Sequence, residues 1–232
     1  MAIDLRGVRS VVLAGTGSDD DYVIRAFGAP LRAVGADLVA PRPEPRRLVD
    51  GYVAALEDAA RDCPIAVGGV SIGAAVSLTW ALRHPDRVVA VLAALPAWTG
   101  EPGSSPAALA ARYSAQQLRE HGLTATTTQM RASSPPWLAE ELARSWRSQW
   151  PDLPDAMDEA AGYVAPTHAQ LHGLATPMGV VATSDDPIHP LDVGRQWVTA
   201  APHAALRTIT LDQLGADPTA LGAACLAALD EA

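Results

Sequence analysis

Six short strand-like runs, most of them almost wholly apolar, at 11–14, 36–40, 64–68, 88–95, 177–183 and 206–211, alternate with segments that carry a helical period. Nothing else in the chain constrains its fold as much. A strand with one wet face alternates apolar and polar side chains, whereas Val11-Val12-Leu13-Ala14 and Pro64-Ile65-Ala66-Val67-Gly68 leave no face for water. Such strands need cover on both sides, and the intervening segments 20–34, 47–62, 72–83, 191–200 and 217–229 can supply it as helices. In the last of these, Asp217 stands in capping position with Pro218 at the first helical residue. The expected class is α/β, a mostly parallel sheet with helices on both faces.

Between residues 99 and 174 the alternation stops. Helix-like pieces near 107–121, 124–131 and 138–150 are separated by breaks containing Gly or Pro, and Trp137, Trp146 and Trp150 fall here. The chain thus reads as one domain built from 1–98 and 175–232, with 99–174 inserted as a helical lid. The indoles have two readings that are compatible. They form a small core of the insertion itself, or Trp98, Trp137 and Trp146 line an apolar substrate pocket under the lid.

At 232 residues the chain can bury one large core, and 49% apolar against 19% charged residues excludes global disorder. The net charge of -9, with Arg42, Arg46 and Arg47 as the only basic grouping, argues against nucleic acid and against an anionic membrane as partners. No apolar run approaches a membrane span, and residues 1–9 mix acid and base, unlike a secretory signal. Two cysteines, Cys63 and Cys225, fit a reduced chain, although a bridge between them stays open. The expectation is a soluble, cytoplasmic protein whose partner is a small apolar molecule.

The sharpest motif is Gly69-Val70-Ser71-Ile72-Gly73, set between the strand at 64–68 and the helix at 72–83. A G-x-S-x-G in that context is the pattern of a nucleophile elbow, where small neighbours tolerate a strained turn that lifts the serine hydroxyl above the sheet. A plain Gly-rich turn is the other reading. Gly15-Thr16-Gly17 lacks the third glycine of a dinucleotide fingerprint, and no Gly-Lys-Ser/Thr follows, so neither phosphate cradle is present. Asp19, Asp20 and Asp21 read as a solvated helix start. No Cys/His cluster has zinc spacing, and nothing argues for an organic cofactor; no cofactor and no metal are expected.

The order of parts resembles the α/β-hydrolase family: a loop after an early strand, a serine elbow, a helical insertion, an acid after a later strand, then a closing strand and helix. The resemblance covers nearly the whole chain. It implies Ser71 as nucleophile and the backbone N–H of Ile72 as one oxyanion donor. The second donor matches Thr16 by position, in Ala14-Gly15-Thr16, where the family often reads His-Gly-X. Ser184-Asp185-Asp186-Pro187-Ile188-His189-Pro190 resembles the family's acid loop, and the proline four residues on selects Asp186, leaving Asp185 to the loop. A simple Asp-Pro turn is the alternative there.

The family's histidine after the last strand is missing. Leu211-Asp212-Gln213-Leu214 stands in its place, and no histidine follows His203. Topology sends His84 and His203 to the opposite edge of the sheet, and His168 and His172 also away from the serine. His121, in the insertion, and His189, at the serine's edge, remain. His189 either serves as base, oriented by Asp186 or Asp185, or merely bonds its own loop. Two functions follow. One is a serine hydrolase of small apolar esters, thioesters or amides. The other is a degenerate-triad protein that binds an apolar ligand or promotes cyclisation, elimination or decarboxylation. A protein-interaction module ranks last.

Overall fold

The computed structural model describes residues 3–232. Its centre is a six-stranded sheet in the order β2-β1-β3-β4-β5-β6, with every neighbouring pair parallel. The strands are β1 (Arg9–Leu13), β2 (Asp37–Val39), β3 (Ile65–Val70), β4 (Val88–Ala94), β5 (Met178–Thr183) and β6 (Ala204–Ile209). In chain order the helices are α1 (Asp20–Ala33), α2 (Leu48–Ala59), α3 (Ile72–Arg83), α4 (Pro106–Ser133), α5 (Pro136–Gln149), α6 (Leu153–Ala161), α7 (His168–His172), α8 (Leu191–Ala200), α9 (Leu211–Ala216) and α10 (Thr219–Leu229).

Alternate side chains of the four central strands, β1, β3, β4 and β5, feed two separate cores. Val11, Leu13, Val67, Val91 and Val180 pack with α2, α3 and α8, while Val12, Ala14, Ala66, Leu92 and Val181 pack with α1 and α10. Both faces of the central strands are therefore dry, as their apolar runs require. Helix α3 is buried almost all round, so its Ala-rich sequence serves close packing rather than a wet face.

Four helices, α4 to α7, stand between β4 and β5. Gly122, at φ 76°, breaks α4 into two pieces, which is where the sequence separates 107–121 from 124–131. Ala115, Leu118, Trp146, Leu153 and Met157 form a third, smaller core within these helices. One expectation is corrected at the end of the chain. The last strand stops at Ile209, and Leu211–Ala216 turns as a helix, because Thr210 and Gln213 form a reciprocal capping box there.

Cys225 is buried and Cys63 exposed, both as free thiols, so they do not pair. Burial pushes the Cys225 thiol well above its ordinary value. Among the described residues no helix is long and apolar enough to cross a membrane.

Candidate functional site

The chain order reverses between β1 and β3: β2 lies on one side of β1 and all later strands on the other. In such sheets the crevice beyond the carboxyl ends at the reversal is the natural place for a ligand. Here that crevice is flanked by residues 14–19 after β1 and by Ser71 after β3.

Ser71 has φ 56° and ψ -114°, a conformation a non-glycine residue holds only when its surroundings enforce it. The enforcement is visible. Its N–H donates to the carbonyl of Ala94 at 2.9 Å, and its carbonyl accepts from the N–H of Ala75 at 3.2 Å. The motif glycines answer a different need. A Cβ on Gly69 would stand 2.3 Å from the carbonyl carbon of Gly73, and one on Gly73 would stand 2.4 Å from the oxygen of Leu13. The strand, the turn and the helix cross too closely for any side chain.

His189 and Asp186 both belong to the loop between β5 and α8. The hydroxyl of Ser71 lies 3.1 Å from His189 Nε2, and His189 Nδ1 lies 2.7 Å from Asp186 Oδ2. Side-chain exposures of 17% for His189 and 10% for Asp186 leave this chain of bonds largely dry. Burial by itself would raise the Asp186 carboxyl. The hydrogen bond and charge of His189, with the N–H groups of Ile188 and His189, outweigh it and hold the group below its ordinary value. An ionised carboxylate only accepts, so the proton of the imidazole sits on Nδ1 and leaves Nε2 free to accept from the serine hydroxyl.

Asp185, next to Asp186, points elsewhere. Its Oδ1 accepts the N–H of Leu211 at 2.9 Å and ties the β5 loop to the start of α9. The other histidines lie apart from Ser71. His84 ends α3 with Nε2 3.3 Å from Glu57 Oε1, and the carbonyl of His203 accepts the N–H of Met178 at the amino edge of the sheet. His168 and His172 line a groove against α8, and His121 is exposed beside Glu120.

The β1 loop closes on the serine from the other side. An added Cβ on Gly15 would meet the Ser71 Cβ at 3.6 Å, so Thr16 follows directly beside the elbow. Among the described residues, the N–H groups of Thr16 and Ile72 donate to no protein acceptor. A narrow hollow adjoins Ser71, walled by Ile72, Ala75, Ala97 and Trp98, and as it stands it has no room for a water molecule. Trp98 is held in place by its indole N–H, which donates to the carbonyl of Tyr163 at 3.1 Å.

Trp137 and Trp146, expected to line the substrate pocket, are placed otherwise. Trp146 fills the small core of the insertion and presses on Gly17, whose added Cβ would come 2.7 Å from its Nε1. Trp137 lies across Gly215 of α9, an added Cβ there standing 2.3 Å from its Cδ1. Both indoles are packing groups because the insertion meets the core where they stand, a junction no local pattern displays. Ala97, which lines the hollow, carries no sequence signal either. Among the described residues, no three His, Cys, Asp or Glu side chains gather to hold a metal.

A parallel sheet with a strained serine elbow at its reversal point and helices inserted after β4 defines an α/β-hydrolase. More narrowly, the model of the serine aminopeptidase (S33) family matches residues 46–215, well over half of the chain, and the protein belongs to that family. A search of curated protein sequences finds no significant match. Among solved structures, a hydrolase from Pseudomonas aeruginosa is 21% identical, with TM-score 0.67 over 96% of this chain and 89% of its own. A thermophilic esterase from Thermogutta terrifontis is 17% identical, with TM-score 0.66 over 88% and 82%. An enol-lactonase from Burkholderia xenovorans is 18% identical, with TM-score 0.63 over 88% and 83%. At these identities the likeness is one of fold.

Proposed function

We propose that the protein is a serine hydrolase that cleaves a small apolar ester, thioester or amide, with Ser71 as nucleophile, His189 as base and Asp186 as the acid that orients it. The observation that carries this reading is the hydrogen-bonded run from Ser71 Oγ to His189 Nε2 at 3.1 Å and from His189 Nδ1 to Asp186 Oδ2 at 2.7 Å. These are working distances for a nucleophile and its base. The hydrolase family and the esterase and lactonase folds agree with it.

The chemistry is then a two-step acyl transfer. His189 Nε2 takes the hydroxyl proton as Ser71 Oγ bonds to the carbonyl carbon. The carbonyl oxygen becomes an oxyanion that the N–H groups of Thr16 and Ile72 can hold. The tetrahedral centre collapses, and His189 returns its proton to the departing alcohol, thiol or amine. Water, deprotonated by His189, then attacks the acyl-serine; the acyl–Oγ bond breaks, His189 returns the proton to Ser71 Oγ, and the acid leaves. Asp186 stays ionised throughout and stabilises the imidazolium.

Ala97 and Trp98 present an apolar wall beside Ser71, which favours an apolar acyl group. A non-hydrolytic role draws its motive from the histidine missing after the last strand. With an imidazole already beside Ser71, that motive is gone. A fluorophosphonate should form a covalent adduct on Ser71, and Ser71→Ala and His189→Ala should each abolish turnover of 4-nitrophenyl butyrate. An unlabelled Ser71, or turnover that survives both substitutions, would overturn the reading.

A further inference from the structure

Three consecutive residues of the β1 loop, Gly17, Ser18 and Asp19, are gripped by one face of α5. The Ser145 hydroxyl donates to the carbonyl of Gly17 at 2.7 Å. The Gln149 side-chain amide donates to the carbonyl of Ser18 at 2.9 Å and to the Ser145 hydroxyl at 2.8 Å. Arg144 binds Asp19 with both arms, Nη1 to Oδ2 at 2.6 Å and Nη2 to Oδ1 at 2.8 Å. The same Asp19 caps α1 by accepting the N–H of Tyr22 at 3.2 Å.

Between these bonds the Trp146 ring lies on Gly17, filling the space a side chain would need, and the φ of +70° there also favours glycine. Ser145, Gln149 and Asp19 are all buried, so their bonds are shielded from water. Thr16 immediately precedes the gripped segment, and its free N–H is the donor assigned above to the oxyanion.

We infer that α5 is a clamp for the oxyanion loop, with Arg144, Ser145 and Gln149 as positioning residues that fix the Thr16 N–H opposite Ser71. The inference rests on the hydrolase reading and deepens it: the inserted helices supply part of the catalytic precision rather than only covering the site. An oxyanion donor works because it is aimed in advance, and a small misplacement forfeits much of its effect. Within the loop, which carries two glycines, Gly15 and Gly17, the N–H of Ser18 donates to the carbonyl of Gly15 at 3.0 Å, and the Tyr52 hydroxyl of α2 holds the carbonyl of Ala14 at 3.1 Å. The side chains of α5 fix the residues that follow Thr16.

The test compares Ser145→Ala, Ser145→Thr and Gln149→Leu with the wild type on 4-nitrophenyl butyrate, and measures inhibition by a short-chain alkyl trifluoromethyl ketone. The hemiketal of that ketone places an oxyanion where the ester's would form. Ser145→Ala and Gln149→Leu should lower kcat by about 10- to 100-fold with KM within about twofold. The ketone's inhibition constant should rise in the same proportion, and Ser145→Thr, which keeps the hydroxyl, should restore most of the loss.

Arg144→Lys keeps the charge but not the paired geometry, and serves if the stronger variants fail to fold. It should show the same pattern at reduced size. Unchanged kcat in folded variants would overturn the clamp. So would a loss of kcat without a matching loss of ketone affinity. A wild type that neither turns over the ester nor labels at Ser71 would sink the hydrolase reading and this inference together. An active, labelled wild type with indifferent variants would sink the clamp alone.

Discussion

The segments that follow β5 and β6 leave the same edge of the sheet, yet only one faces Ser71 with titratable groups. After β5, Asp186 and His189 lie three residues apart in a single loop, and His189 reaches the serine while Asp186 holds its other ring nitrogen. After β6, where the family resemblance leads one to look for a histidine, Thr210 and Gln213 close a capping box and the chain coils into α9. Trp137 of α5 then packs on Gly215 of that helix. The difference teaches that a reacting constellation is defined by where side chains converge and not by which strand supplies them. A base needs only a rotamer that brings one ring nitrogen to the hydroxyl and turns the other toward a carboxylate.

That contrast can be broken most forcefully at Ser71 and at His189, its proposed base. Ser71→Ala and His189→Ala should each lower kcat/KM by roughly 10⁴-fold or more, measured with an activated ester. Adding a histidine on the other segment, as Gln213→His in the His189→Ala background, should restore nothing, because the exposed side chain at position 213 turns back on Thr210 at the start of α9. Recovery of activity in that double variant would show that the β6 segment remains a competent donor of the base.

The carboxylate sharpens the comparison with a smaller effect. Asp186→Asn should lower kcat by about 10²- to 10⁴-fold, since the amide can no longer hold the Nδ1–H tautomer. The same group contributes to the pH dependence of stability. Its folded-state pKa is depressed, so its stabilisation is complete above the ordinary carboxylate value of 3.8 and is lost as pH falls through the lower folded value. Urea titrations between neutral pH and about pH 3 should therefore show a shallower acid loss in Asp186→Asn than in the wild type. An equal or steeper loss would contradict the assignment of that carboxyl as ionised and paired.

On the β6 side the effects should appear in stability and leave chemistry almost untouched. Gly215→Ala drives a methyl group into the Trp137 ring and should cost about 1–3 kcal/mol by urea unfolding. Thr210→Ala, which removes the capping hydroxyl, should cost about 1 kcal/mol. If either variant lost kcat while keeping its fold, the division between a reacting loop and a structural one would fail.

Residue order by itself determined a good deal. The runs without a polar face at 64–68, 88–95 and 177–183 became strands buried on both sides, whereas those at 36–40 and 206–211 became the part-exposed edge strands, and helices α3 and α8 lie at the very residues their period marks out. Gly69, Ser71 and Gly73 located the elbow, because a turn that tight admits few other residues. It was the resemblance to the family's acid loop, through the spacing to Pro190, that singled out Asp186. The other features are legible because they obey local rules of period, turn chemistry and backbone sterics.

Tertiary structure decided the rest. Whether His189 bonds its own loop or reaches Ser71 depends on how β3 and β5 are placed, and the two residues are 118 positions apart in the chain. Helix α2 has no side-chain cap of its own, and the N–H groups of Leu48 and Val49 are met at 2.8 and 3.1 Å by Glu159 from α6. The roles of Trp137 and Trp146, and the grip of Arg144, Ser145 and Gln149 on the β1 loop, arise in the same way. Such contacts leave no periodic trace, because each partner satisfies its local pattern equally well without the other. Only the docking of the inserted helices on the sheet's edge brings them together.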